Sequence, residues 1–161
     1  MHADFASLMS QLDHPMYLAT VQGAEGPSGC LVGFAGQVSI DPPLFLVCLS
    51  DQNHTWRVSH GASHLAVHVI PRANSELVRL FGETTGDRVN KFPLCSWRTG
   101  PHGVPILQDA SAWFVGEIAS RVELGDHVGH VLAPVAVCQT REVSACVTSR
   151  DVTHLHPGHE A

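Results

Sequence analysis

Apolar residues recur along the chain in short runs bounded by glycine, proline and polar residues, a pattern typical of β-strands. Two long runs flank the pair Gly125-Asp126, which predicts a β-hairpin with a tight turn. The run LFLVCLS is apolar on both faces, which predicts a central strand buried on both sides. The predicted strands cover residues 16–23, 30–40, 44–50, 64–70, 111–124 and 127–140.

Three short segments show helical spacing instead. Phe5, Leu8, Met9 and Leu12 occur at i, i+3, i+4 and i+7, which predicts one apolar stripe on a helix over residues 5–14. Residues that favour the N-cap position begin two further candidates. These are residues 54–61, capped by Asn53 or Thr55, and residues 73–83, capped by Asn74 with Leu77, Leu80 and Phe81 buried.

The order of these elements predicts a mainly β fold. Six or seven strands, mostly in a meander, with two or three short helices indicate a closed antiparallel barrel with helical additions. The sequence has no alternating β and α units, no GxGxxG after a strand and no Walker loop, so a doubly wound nucleotide-binding fold is not expected. We expect one domain over residues 1–148 and a polar, mobile tail over residues 149–161.

Composition and charge narrow the class of protein. A chain of 161 residues with 44% hydrophobic content can form a core without a metal or a disulfide. The net charge of −6 and the scattered basic residues argue against nucleic-acid binding, and no apolar run approaches the ~20 residues of a membrane span. Five cysteines without CxxC spacing indicate a reducing compartment, so we expect a cytoplasmic protein.

The glycine-rich stretch GPSGCLVGFAGQVSIDPP, residues 26–43, allows two interpretations. Gly29, Gly33 and Gly36 lack a Cβ, so another part of the chain or a ligand can approach the backbone closely. In the structural interpretation, the glycines let a barrel strand curve. In the functional interpretation, exposed strand amides bind the edge of a planar ring.

A second candidate site is the polar segment SDQNHTWRVS. Ser50, Asn53, His54 and Thr55 come just before or at the start of a predicted helix, whose free amides favour an anion such as phosphate. Ordinary helix capping explains Asn53 or Thr55 equally well and leaves the other two unassigned.

Further signals come from histidines and from one loop cation. His127 follows the hairpin turn, where it either reaches a site at the mouth of the barrel or simply bonds to Asp126. His130 lies three residues further along the strand and points to the opposite face, which makes a shared metal ion geometrically poor. In the loop NKFP, Lys91 and Phe92 place a cation beside an aromatic ring, a pair suited to contact with phosphate or a ring.

The sequence lacks the motifs of hydrolytic enzymes. There is no GxSxG and no HExxH, and no cysteine has an evident base partner. We expect no metal site, since His154, His156 and His159 of the tail would bind a divalent metal only incidentally. A ligand-shaped site without acid–base machinery suggests that a cofactor carries the reaction.

Several segments occur in one order along residues 10–138: GPSGCLVGFAGQVSIDPPLFLVCLS, NHTWRVS, LAVHVI, ANSELVRLF, NKF and SAWFVGEIASRVELGDHVGHVLAPVAV. In this order and spacing they resemble the flavin reductase-like proteins with the FMN-binding split β-barrel. The resemblance implies a mainly β, split antiparallel barrel and a homodimer that holds FMN or FAD near the subunit interface. It also implies reduction of the flavin by NADH or NADPH, often for a partner monooxygenase.

The resemblance also implies which residues contact the flavin. The isoalloxazine ring lies along Gly29, Leu31, Val32, Gly33, Phe34 and Ala35, mostly on main-chain atoms, with Val67 and His68 at its border. The phosphate and ribityl chain are held by Ser50, Asn53, His54 and Thr55, with Lys91 and Phe92 reaching the phosphate or the ring. His127 is placed where nicotinamide or a second substrate stacks.

The chain departs from the family pattern at two places. Hydroxyl side chains are missing from residues 29–34, GCLVGF, which leaves backbone amides for the flavin, and His68 stands where an asparagine is usual. These departures motivate an alternative, a split-barrel protein that binds flavin, deazaflavin F420 or haem without turning over nicotinamide. A third hypothesis is an interaction protein with an empty barrel.

Overall fold

Nine strands run through residues 1–158, the part of the chain that the computed structural model describes. Seven strands form one antiparallel sheet in the order β2-β1-β5-β8-β9-β4-β3, and β6 and β7 form a separate hairpin. The strands are β1 (Tyr17–Gly23), β2 (Gly26–Val32), β3 (Ala35–Ser39), β4 (Leu44–Ser50), β5 (His64–Val69), β6 (Trp97–Thr99), β7 (Pro105–Leu107), β8 (Ala112–Leu124) and β9 (His127–Gln139).

The sheet curls so that its two edges approach each other. The Phe34 carbonyl, just after β2, accepts a hydrogen bond of 2.9 Å from the Cys48 amide in β4. Because β2 and β4 stand far apart in the strand order, this bond marks the closure of a barrel. The predicted fold class, a mainly β split antiparallel barrel, is confirmed.

The long hairpin was predicted correctly, and two strand predictions need correction. β8 and β9 flank a two-residue turn in which Gly125 has φ 71°, a left-handed conformation that glycine adopts without strain. The predicted strand 30–40 is interrupted at Gly33-Phe34, and residues 26–29, which lay outside the predicted strands, belong to β2. The β6–β7 hairpin was missed because three-residue strands are too short to show periodicity.

Three α-helices accompany the barrel: α1 (His2–Ser10), α2 (His54–Ser59) and α3 (Ser75–Glu83). The predicted caps of α2 and α3 are confirmed, since the Asn53 side chain accepts from the Thr55 amide and the Asn74 side chain from the Leu77 amide. The first helix begins and ends earlier than predicted and buries none of its residues. Its apolar stripe is therefore exposed in the single chain.

Two apolar clusters position the candidate site. One fills the barrel and includes Val32, Leu49 and Leu132; the other lies under α3 and includes Leu18 and Phe81. β2 runs between the two clusters. Because successive side chains of a strand point to opposite faces, those of β2 alternate between the two clusters. A mainly apolar cavity opens where the two clusters meet.

The chain after β9 returns to the body of the protein. The Val147 amide donates to the Ile70 carbonyl at 3.0 Å, and the Met16 amide donates to the Val147 carbonyl at 2.9 Å. Val147 is buried in the cluster under α3. The domain boundary after residue 148 stays a prediction, although the described residues beyond it contact the body. No helix within residues 1–158 is long and apolar enough to cross a membrane.

Candidate functional site

A cavity of ≈ 350 Å³ lies between the end of β2, the end of β4, α3 and the last described residues. Its volume is within the range of ligand pockets, ~300–1,000 Å³. Residues 31–34 form one wall and residues 48–50 another, and both walls are mainly apolar. β2 is an edge strand, so its backbone groups on the side away from β1 have no neighbouring strand. This arrangement suits a flat, largely apolar ligand.

The structure brings together half of the predicted flavin contacts. Leu31, Val32, Gly33, Phe34, Ser50, Asn53 and Lys91 line the cavity, and His127 lines it as well. The other seven predicted contacts do not line it: Gly29, Ala35, His54, Thr55, Val67, His68 and Phe92. Whether each residue contacts a flavin stays a prediction, but the cavity separates the two groups clearly.

Lys91 has the most unusual environment in the site. It is the only lysine of the chain and is 4% exposed. Its Nζ donates to the Gly29 carbonyl at 3.0 Å and to the Phe81 carbonyl at 3.3 Å, and it lies 5.2 Å from the centre of the Phe81 ring. Burial lowers the pKa of this ammonium group below its ordinary value. Within residues 1–158 no carboxylate forms an ion pair with it.

The glycines of the bare strand have different surroundings. A Cβ on Gly29 would come 2.8 Å from the Phe81 ring, so this glycine permits α3 to pack on β2, as the structural interpretation holds. A Cβ on Gly33 would come 3.1 Å from the Met16 sulfur, and one on Gly36 would meet nothing within 4 Å. Only Gly33 of these three lines the cavity.

The polar segment before α2 divides between two surfaces. Ser50 and Asn53 face the cavity, whereas His54 faces a shallower neighbouring groove. The Ser28 hydroxyl bonds to the His54 ring at 2.9 Å and to the Thr55 hydroxyl at 3.0 Å, so both groups have partners inside the protein. The capping role therefore belongs to Asn53, while the side chains of His54 and Thr55 bond to Ser28.

His127 stands at the mouth of the cavity. Its ring lies 5.0 Å from the ring of Phe34, which is 61% exposed, and its Nδ1 bonds to Asp126 at 2.7 Å. The bond with His127 is the main reason why the pKa of Asp126 is lowered. His130 points the other way, into the protein, and bonds to the Ser59 hydroxyl. The expected opposite orientation of the two histidines is thus observed.

His68, Val67 and Phe92 lie in the interior instead of beside the cavity. The His68 ring is fully buried, with the Leu18 carbonyl at 2.9 Å from Nδ1 and the Leu107 amide donating to Nε2 at 3.1 Å. Val67 belongs to the barrel core and Phe92 to the cluster under α3. Their side chains pack in the interior, and contact of these three residues with a flavin stays a prediction.

Several cavity residues were not predicted. Met16 precedes β1, Cys30 and Cys48 lie in β2 and β4, and residues 84–86 follow α3. The end of the chain was expected to be mobile, yet Leu155, Pro157 and Gly158 line the cavity. Local sequence carries no signal for such contacts, because each of them depends on tertiary packing.

Comparisons with known proteins agree with the fold. Residues 9–151 match the family model described as "Flavin reductase like domain". The stachydrine N-demethylase reductase subunit Stc3 of Rhizobium meliloti is 34% identical over 113 residues, covering 68% of this chain and 48% of that protein. The FMN reductase (NADH) RutF of Klebsiella pneumoniae is 30% identical over 125 residues, covering 78% and 76%.

Solved structures give the same result. The FMN-binding protein from Thermus thermophilus superposes with a TM-score of 0.76 at 28% identity, covering 80% of this chain and 72% of that one. The chain spans only 35% and 48% of the length of the two relatives from Rhizobium meliloti.

Proposed function

Because the chain belongs to the family of the flavin reductase-like domain, we propose that it binds FMN in the cavity and reduces it with NADH. The names of the RutF relatives support this choice of flavin and reductant, and their similarity extends over three quarters of both chains. FAD and NADPH are the alternatives that the assay below separates.

The environment of Lys91 is the observation that carries the proposal. A buried cation without a carboxylate is costly unless another anion compensates it. Lys91 lies at the junction of the cavity and the shallower groove, since it lines both. A flavin phosphate, or the negative charge that a flavin acquires on reduction, is the kind of anion that fits this position.

The remaining residues suit a tricyclic ring. Leu31 and Val32 offer apolar surface, and the hydroxyl of Ser50 and the amide of Asn53 are the polar groups of the opposite wall. When bound, FMN supplies the two-electron chemistry, so the protein needs only to orient the reactants and exclude water. This explains why the sequence contains no nucleophile with an activating base.

Steady-state kinetics test the proposal. Purified protein with FMN is expected to oxidise NADH well above the rate of free FMN, and FAD and NADPH in parallel assays give the preferences. The absorption spectrum of the protein as purified separates the alternative, a carrier of flavin, deazaflavin or haem. Flavin binding without NADH oxidation would favour that carrier, and no chromophore binding would contradict both.

Substitution of Gly33 is expected to have a moderate effect on FMN binding. In Gly33→Val the new side chain displaces Met16, which lines the cavity, so the FMN dissociation constant should rise about fivefold. Gly36→Val is the matched control, because the space around Gly36 is open. Fluorescence titration with FMN measures both variants; equal effects at the two glycines would contradict this placement.

We also propose a homodimer that supplies reduced flavin to a partner monooxygenase. The exposed apolar residues of α1, Phe5, Leu8 and Met9, together with Leu12 just after it, support association with a second copy. The similarity to Stc3, a reductase subunit by name, supports a role in a two-component system. A cytoplasmic location likewise stays a prediction.

A further inference from the structure

The last described residues contribute a wall to the cavity. The C-terminal segment, residues 149–158, begins with a 3-10 helix (Ser149–Val152) and then crosses the opening beside α3. Val152, Leu155, Pro157 and Gly158 all line the cavity. A polar tail was expected here, but its few apolar residues are the ones that face the site.

Backbone hydrogen bonds hold the start of this segment in place. The Arg72 amide donates to the Ala145 carbonyl at 2.9 Å, and the Ser149 amide donates to the His14 carbonyl at 2.8 Å. The chain just before the segment is therefore tied both to the residues that precede β1 and to those that follow β5. Such a double attachment fixes the direction in which the segment leaves the body.

Side chains fix the 3-10 helix itself. Asp151 accepts from the Thr148 amide at 2.9 Å and pairs with Arg72 at 3.0 Å, and Asp13 accepts from the Ser149 hydroxyl at 3.0 Å. Both carboxylates have pKa values below their ordinary range. For Asp151 the largest cause is the hydrogen bond from the Thr148 backbone. For Asp13 the lowering comes from hydrogen bonds with Thr148, Arg150 and Ser149, which outweigh desolvation.

Leu155 closes one end of the cavity. A Cβ on Gly82 of α3 would lie 3.1 Å from both the Leu155 and the Leu31 methyl groups, so both side chains pack over this glycine. A Cβ on Gly158 would lie 2.7 Å from the Glu83 carbonyl and from the Thr85 amide, so the segment also packs tightly on the loop after α3. The segment and β2 thus form two sides of one slot.

We propose that the C-terminal segment is a fixed wall of the FMN cavity and that Leu155 is a positioning residue that slows the release of FMN. This inference rests on the proposed function. It predicts a protein that retains flavin between turnovers, since an apolar side chain that covers a bound ring must move before the ring leaves. Differences in affinity between related complexes arise mostly from dissociation rates.

The test uses the full chain with Leu155→Ala. The FMN dissociation constant is expected to rise about tenfold. Stopped-flow fluorescence should show that this rise comes from a faster dissociation of FMN. The double variant His154→Ala/His156→Ala is the matched control, since both side chains are exposed in the same segment and do not line the cavity. If Leu155→Ala does not fold, Leu155→Val provides the same comparison with a smaller change.

A second readout does not depend on flavin. Cys30 and Cys48 line the cavity, whereas Cys95 and Cys138 do not. In the flavin-free protein, Leu155→Ala should speed the alkylation of Cys30 and Cys48 by iodoacetamide relative to the other two, as measured by peptide mapping.

The outcomes separate this inference from the proposed function. Faster alkylation with no FMN binding by the wild type would support the wall and reject the flavin reductase. Normal FMN binding by Leu155→Ala, with unchanged alkylation, would overturn the wall while leaving the reductase intact. Tighter FMN binding by the variant would also overturn it, because the segment would then act as a plug.

Discussion

Replacing Lys91 with methionine is expected to weaken FMN binding about a hundredfold, the effect of losing a charged hydrogen bond worth about 1.5–3 kcal/mol. The ammonium group is buried beside the cavity and its two known acceptors are neutral carbonyls. Among the described residues no carboxylate pairs with it, so an anionic ligand would balance its charge. Fluorescence titration with FMN measures the change.

The same substitution should leave the protein folded. Methionine fills a similar volume and removes a buried charge, which is often neutral or favourable. The carbonyls of Gly29 and Phe81 lose a donor, however, and a buried unsatisfied group costs about 1–3 kcal/mol. These contributions oppose each other, so the free energy of unfolding is expected to change less than the free energy of FMN binding.

Arg88→Met is the control for long-range electrostatics. Arg88 lies in the same loop as Lys91, carries the same charge and is exposed. An equal loss of affinity in both variants would contradict a direct contact at Lys91. Because Lys91 is the only lysine, an amine-reactive reagent offers a second measurement: bound FMN should protect this one side chain from modification.

The sequence predicted the parts of the fold that depend on local pattern. The β8–β9 hairpin follows from two long apolar runs around Gly125-Asp126, and the caps Asn53 and Asn74 follow from residue type and position. The strand broken at Gly33-Phe34 shows the limit, because apolar composition continues across a bend that the closing barrel imposes.

The candidate site was predictable to a similar extent. Gly33 was identified by glycine content and Lys91 by its place beside an aromatic residue in a loop, whereas Leu31, Val32 and Phe34 came from the family resemblance. His68 was assigned to the flavin border by the resemblance alone, and this assignment stays a prediction; local sequence could not show that both of its ring nitrogens have backbone partners. Leu155 was missed because a single apolar residue in a polar tail gives no periodic signal.

His68 should make the protein less stable in mild acid. Burial lowers its pKa from 6.5 to about 4, and its hydrogen bonds require a neutral ring: Nδ1–H donates to the Leu18 carbonyl and Nε2 accepts from the Leu107 amide. Unfolded chains protonate this ring near pH 6.5, whereas the folded protein resists protonation until about pH 4. The stabilising contribution is therefore complete above pH 6.5 and decreases as the pH falls toward 4.

The expected loss from His68 is about 2 kcal/mol between pH 7.5 and pH 5, at 1.36 kcal/mol per pKa unit. Urea unfolding at these two pH values measures it above the range in which most carboxylates titrate. His68→Gln keeps one acceptor and one donor but does not titrate, so its stability should fall about 2 kcal/mol less than that of the wild type. His130, whose pKa is also lowered chiefly by burial, is present in both proteins and cancels in the comparison. Parallel losses in the wild type and His68→Gln would show that the buried ring is not the group responsible.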